Sequence, residues 1–315
     1  DQPHPQSHFL PDDRRPRPVT ASGQRGRVVV GLDSGAPAPG PLRHAASEAV
    51  LRNAMLHIVS VWSYPPMSTE ERMLTTASAV EAETAERVAG IVGELMTEQP
   101  YRDLSAEVEV TQGAPANVLI AAAEDADLLV VGRSDGARVR HAVLGSVASK
   151  CVRHASGPVM VVPPAEGPVT ATAGDAKGSE ILVGIDGSEP AQRAMSWALA
   201  EAGLRGASVR AVYCWEEPML LGGDLMMALP NPAVLERDAE AALNEWLSAA
   251  DVPDGVTLTG ATQRGNPGHA LLDAIDDADL VVVGSRGLGG FKGLMLGSVA
   301  RRVAHLAPCS VVVIS

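Results

Sequence analysis

The sequence predicts two tandem α/β domains, each a doubly wound, five-stranded parallel sheet. Three observations predict it. Short valine-rich runs alternate with segments of helical periodicity. The whole pattern recurs roughly 150 residues later, an interval too long for a solenoid unit and right for a second copy of one domain. In each copy a polar or glycine-dense loop joins the fourth apolar run to a helix, and such alternation implies right-handed crossovers and a sheet covered on both faces.

Residues 1–25 carry Pro3, Pro5, Pro11, Pro16 and Pro18 with Arg14, Arg15 and Arg17, and predict a disordered tail. Order begins near residue 26. Val28-Val29-Val30-Gly31-Leu32-Asp33 reads as a buried strand ending in a carboxylate, and Ile181-Leu182-Val183-Gly184-Ile185-Asp186 repeats it. Trp62 is echoed by Trp215, Asp127–Gly132 by Asp279–Gly284, and Leu144-Gly145-Ser146 by Leu296-Gly297-Ser298. The first domain is placed at 26–163 and the second at 180–315. Residues 164–179, rich in Pro, Gly, Ala and Thr, read as an extended linker.

In the second copy a helix is expected over Pro190–Gly203, with Ala194, Trp197, Ala198 and Ala202 on one face. Strand Val209–Trp215 follows, then a Gly-, Pro- and Met-rich loop, and a helix over Pro232–Ala250. Strand Thr257–Gln263, helix Pro267–Asp276 and strand Asp279–Val283 lead to the glycine loop. A helix over Val299–His305 and strand Ser310–Ile314 close the chain.

The loop Gly284–Ser298, GSRGLGGFKGLMLGS, lies where open α/β sheets bind ligands, at a strand's C-terminal end and a helix's N-terminal end. Glycines allow close approach of backbone N–H groups, and the helix start favours anions. Ser298 can cap that helix or meet a phosphate. Neither the Walker loop G-x-x-x-x-G-K-[ST] nor the dinucleotide G-x-G-x-x-G fits here.

Gly284, Gly287, Gly297 and Ser298 instead follow G-x2-G-x9-G-[ST]. In this the chain resembles the universal stress proteins, and the resemblance covers nearly all of residues 27–315. It implies their HUP-type, Rossmann-like fold and a site for ATP, accompanied by Mg2+. By resemblance, Asp186 accepts hydrogen bonds from the ribose, whereas the residues alone also allow it to cap the next helix, a task open to Ser188. Gly184 and Cys214 match positions bordering the adenine. Arg286 and Lys292 can neutralise phosphate. Met219, Leu220, Leu221, Leu225, Met226 and Met227 are expected to cover the nucleotide as a lid.

The first copy keeps Asp33, Gly132, Gly145 and Ser146, has Val61 at the place of Cys214 as a weaker candidate, and has Asp135 where the second has Gly287. A carboxylate repels phosphate, and Arg133, Arg138 and Arg140 are the nearby charges that can offset it. Pro39, Gly40 and Pro41 also delay the first helix. A weaker or absent site is therefore expected in this copy.

A net charge of −13 argues against nucleic acid and anionic membranes as partners. No apolar run reaches the length of a membrane span. Cys151, Cys214 and Cys309 lack metal-ligand spacing and fit a reduced, cytoplasmic protein. His269 and His305 fall on helices and read as structural. No catalytic constellation is apparent, so a regulatory ATP-binding protein is expected. The alternatives are a slow ATP hydrolase or nucleotidyl transferase, and an interaction scaffold that ignores nucleotide. The last strand of each copy should fall at an edge, where exposed β-branched residues invite aggregation. Relatives pair this strand between subunits, so an intramolecular pseudo-dimer is expected, with Val159, Val161 and Val162 near Val311, Val312 and Val313. The surface of any further homodimer is left open.

Overall fold

The structure, a computed structural model, describes residues 26–33, 35, 40–64, 76–133, 144–164, 179–217, 231–276, 278–288 and 296–315. The N-terminal tail, most of the linker, the Met-rich loop, Asp135, Arg138, Arg140 and Lys292 lie outside the described residues.

The first domain runs β1 (Arg27–Gly31), α1 (Gly40–Arg52), β2 (Met55–Trp62), α2 (Ala77–Leu95), β3 (Ala106–Gln112), α3 (Pro115–Ala122), β4 (Leu128–Gly132), α4 (Ser146–His154) and β5 (Val159–Val162). The second repeats it as β6 (Glu180–Ile185), α5 (Glu189–Arg205), β7 (Ser208–Trp215), α6 (Pro232–Ser248), β8 (Leu258–Arg264), α7 (Pro267–Asp273), β9 (Leu280–Gly284), α8 (Ser298–Leu306) and β10 (Ser310–Ile314). One sheet results, in the order β3-β2-β1-β4-β5-β10-β9-β6-β7-β8. All pairings are parallel except β5 with β10, where Val161 faces Val311, Met160 faces Val312 and Val159 faces Val313. The two terminal strands, each an edge within its own domain, thus satisfy one another's free hydrogen-bonding groups.

The strand sequences explain which faces are covered. β4, β5, β9 and β10 are nearly continuous Val, Leu, Ile and Met, and their apolar side chains are buried on both faces. One face is covered by α1, α2, α5 and α6, through Leu42, Val88, Ala198 and Leu243. The other is covered by α3, α4, α7 and α8, through Leu119, Val152, Leu271 and Val303. Small alanines on α1 and α5 let these helices lie close to the valine strands, which compensates for the shortage of aromatic residues. Both cores run through the β5–β10 seam.

Helix ends follow their local chemistry. Ser188 caps α5, with its Oγ accepting from Ala191 N–H. That helix passes Gly203 and stops at Gly206, whose φ of +68° is the left-handed conformation of a glycine stop. α1 has 13 residues against 17 in α5, although both end at equivalent arginines, so about one turn is missing from the start of the first helix.

Beside the seam, α1 and α5 share a buried ion quartet. Arg52 bonds Glu48 and Glu201, and Arg205 bonds the same two carboxylates, with Arg205 Nε to Glu201 Oε1 at 2.7 Å. The carboxylate side chains are only 4% and 2% exposed for Glu48 and Glu201. Burial pushes the Glu48 carboxyl up, but Arg52 and Arg205 outweigh it and hold it below the ordinary carboxylate range. Burial likewise works against charged Arg205, and Glu48 and Glu201 outweigh it, raising its pKa. Because the folded pKa of Glu48 is depressed, its contribution is complete above the ordinary value of 4.5 and lost as pH falls through the lower folded value. The urea midpoint is therefore expected to drop as pH falls below the ordinary value of 4.5. In Glu48→Gln it should start lower and depend less on pH. A variant with the wild-type pH profile would remove Glu48 from this account.

Two further bonds cross the seam. Arg133 Nη1 donates to Ala307 O at 2.7 Å, and Ser315 Oγ donates to Ala155 O at 3.2 Å. Arg133 is thus drawn toward the seam, and Asp135, whose charge it is expected to offset, lies outside the described residues.

Candidate functional site

In each domain the strand order reverses between the first and fourth strands, β1/β4 and β6/β9. The crevice beyond the carboxyl ends of such a pair is the ligand position of open α/β sheets. In the second domain Asp186 leaves β6 on one side of this crevice, and Ser285 leaves β9 on the other.

Asp186 is half-buried, and each of its oxygens accepts one backbone hydrogen bond. Ser188 N–H donates to its Oδ1 at 3.0 Å, and Leu288 N–H donates to its Oδ2 at 2.9 Å. Ser188 performs the helix capping, which leaves Asp186 facing the loop. Ser188 Oγ also donates to Arg286 O at 3.4 Å, and Gly297 N–H donates to Ser285 O at 2.7 Å. The start of the loop is therefore tied to the starts of both α5 and α8.

The glycines of the loop have separate causes. A Cβ on Gly284 would lie 2.7 Å from the carbonyl carbon of Pro190 and 2.9 Å from Ala191 N, so this glycine lets the first turn of α5 pack on β9. A Cβ on Gly287 would lie 2.2 Å from Asp186 Oδ2. Gly297 has ordinary φ and ψ of −69° and 158°, and a Cβ there meets nothing nearer than 3.4 Å. Gly184, expected beside the adenine, faces Leu271 of α7, whose Cδ2 would be 2.8 Å from a Cβ. Gly284→Ala is accordingly expected to destabilise by about 1–3 kcal/mol, because backbone must move. A melting temperature equal to wild type would contradict this packing.

α8 starts at Gly297 with no side-chain cap, and Ser298 is exposed at the first helical position. Ser298 does not cap: the preceding glycine holds the cap position, from which a first-position hydroxyl is already too far along the turn. Among the described residues, the first N–H groups of α8 thus have no side-chain acceptor, and they lie at the crevice. Arg286 is exposed beside them and has no ion-pair partner among the described residues. Cys214, near the end of β7, packs against the core on the α7–α8 face, and burial pushes its thiol up to about 12. It is a neutral wall. Cys151 and Cys309 are likewise unpaired thiols, raised to about 11 by burial. His269 pairs with Arg302.

An aromatic pair adjoins the site, unforeseen from the sequence. Gly187, at φ +80°, lies under the Trp246 ring, and Tyr213 meets Trp246 edge-on with centroids 5.0 Å apart. The sequence signal was Gly187 directly after the strand-end aspartate, a position where a ring can rest on bare backbone.

The first domain keeps several of these points and alters others. Asp33 is exposed, and the bond it accepts among the described residues is from Gly35 N–H at 2.9 Å. Gly132 matches Gly284, with Pro41 in the place of Pro190. α4 starts at Gly145-Ser146 without a side-chain cap, as α8 does, and a small pocket there is lined by Pro115, Ala116, Ser146, Val147 and Lys150. Val61 is half-buried in the position of Cys214.

Among the described residues no group of three or more His, Cys, Asp or Glu side chains is placed to hold a metal ion. Among them, too, no helix is long and apolar enough to cross a membrane.

The fold defines a tandem doubly wound α/β protein with a strand-order reversal and an adjoining helix start in each domain. The family model "Universal stress protein family" matches residues 24–163 and again 179–315, and the chain belongs to that family. A universal stress protein of Mycolicibacterium smegmatis is 32% identical over 299 residues, covering 91% of this chain and 96% of the relative. One from Mycobacterium tuberculosis is 32% identical over 295 residues with the same coverage. Among solved structures, a universal stress protein from Archaeoglobus fulgidus matches with a TM-score of 0.66 at 17% identity, covering 93% of this chain and 99% of that one. A putative universal stress protein from Pseudomonas aeruginosa matches at 0.62 and 16% identity, covering 92% and 93%. At such identities these two structures speak for the fold.

Proposed function

We propose that the chain is an ATP-binding regulatory protein whose second domain carries the principal site. The observation that carries this reading is the uncapped start of α8 at Gly297-Ser298, facing Asp186 across the switch point. Unpartnered helix-start N–H groups suit a polyphosphate, and α5, capped by Ser188, does not compete for it. Gly297, Ser298 and Arg286 take the phosphates. Asp186 takes the ribose, and the β6 and β7 ends near Gly184 and Cys214 border the adenine. With no carboxylate cluster among the described residues, Mg2+ would arrive on the phosphates. The two domains form an intramolecular pseudo-dimer on the β5–β10 seam, and the protein acts in the cytoplasm.

Titration calorimetry with magnesium-ATP is expected to give about one tight nucleotide per chain. Gly287→Asp should weaken that site, and Asp135→Gly should strengthen the other. Two equal sites would overturn the asymmetry, and no binding would overturn the reading. Because ligand that binds only the native state raises stability, the melting temperature should rise with ATP by the amount its affinity dictates. Trp246, resting on Gly187 next to Asp186, offers an intrinsic fluorescence signal for the same titration.

A further inference from the structure

Gly287 is a glycine for a reason that lies in another residue. Its φ is outside the left-handed region, so the turn does not demand glycine. What excludes a side chain is Asp186: its Oδ2 lies where a Cβ would be, 2.2 Å away, and from there accepts Leu288 N–H at 2.9 Å. Leu288 is 74% exposed, so packing does little to hold this residue, and the charge-assisted bond supplies the order. The other oxygen is held by Ser188 N–H, which fixes the carboxylate relative to α5.

We propose that Asp186 is a positioning residue for the phosphate loop: through the space vacated by Gly287 it pins Leu288 N–H and sets the start of the loop relative to β6 and the start of α5. This role rests on the nucleotide reading of the site and is separate from any contact with ribose. It also gives the first copy's divergence a physical cause. There the sequence has Asp135 in the position of Gly287; Asp33 accepts Gly35 N–H as Asp186 accepts Ser188 N–H, and the counterpart of Leu288 lies outside the described residues. A side chain at that position excludes the carboxylate, and a second carboxylate repels it.

Amide hydrogen exchange on the whole, unliganded chain tests the pin directly. Leu288 N–H is expected to exchange about tenfold faster in Asp186→Ala than in wild type, the loss of one hydrogen bond to a charged acceptor. Gly287→Ala, which keeps the carboxylate but fills its place, should give the same acceleration. Adding Gly287→Ala to Asp186→Ala should then cost nothing more, because no carboxylate remains to displace. Asp186→Asn, with one acceptor oxygen, should fall between. Exchange of the α5 amides monitors the fold in every variant. The second probe is magnesium tripolyphosphate, which has no ribose. Its affinity should fall about tenfold in Asp186→Ala if the residue orders the loop. Unchanged tripolyphosphate affinity, or unchanged Leu288 exchange in either single variant, overturns the proposal. A wild-type protein that binds neither ATP nor tripolyphosphate overturns the nucleotide reading instead, and Leu288 exchange alone then decides whether Asp186 orders this loop.

Discussion

Glu201→Ala is expected to destabilise the chain by about 3–5 kcal/mol, measured from the urea midpoint at pH 7. The side chain is 2% exposed and bonds both Arg52 and Arg205. Its removal leaves two guanidinium groups facing each other in a dry seam with one carboxylate between them. The desolvation already spent on both arginines is then no longer offset. Replacing all four residues together by apolar ones of similar size, with Leu for each glutamate and Met for each arginine, should by contrast be neutral or stabilising. A buried ion network seldom outperforms a well-packed apolar one. The two results must be taken together. A loss below about 1 kcal/mol in Glu201→Ala would mean that water reaches the quartet and that it behaves as a surface pair.

Gly297→Val is expected to lower ATP affinity at least a hundredfold while the melting temperature stays close to that of wild type. A Cβ at this position meets Arg286 Cα and Ser285 O no closer than 3.4 Å, and the backbone angles suit any residue, so the fold should tolerate it. The branched methyl groups would stand over the first turn of α8, where the phosphates are proposed to sit. About 3 kcal/mol is a modest loss for several charge-assisted bonds at once. Normal binding in this variant, measured by calorimetry, would place the phosphates elsewhere. Gly284→Ala should do the reverse, disturbing stability first, so the two substitutions separate glycines that one motif treats alike.

Much of the fold was legible because each element carries its own period and punctuation. The strands β6 to β10 lie within a residue or two of the segments that announced them. Helix ends were less legible. The helix expected to end at Gly203 runs on through it to Arg205 and stops at Gly206, and only the conformation distinguishes the two glycines. α7 stops at Asp273, three residues earlier than expected, before Asp276 takes a positive φ of 42°. The quartet was illegible for a different reason. Charged residues on a helix ordinarily face water, and nothing within α1 or α5 alone tells that Glu48 and Glu201 are buried. The available signal was a Glu-x3-Arg spacing repeated at equivalent positions of both copies. At the site, the motif told where the loop would be, but not that Gly287 answers to Asp186, because that relation joins residues about a hundred positions apart.

The antiparallel contact of β5 with β10 has a consequence for dilution. When two such strands belong to separate molecules, their association is bimolecular and fails once the concentration falls below the dissociation constant. Here the meeting is unimolecular, and a short tether fixes the effective concentration in the millimolar range whatever the abundance of the chain. The joined sheet therefore persists at copy numbers where an equivalent pair of free subunits would come apart.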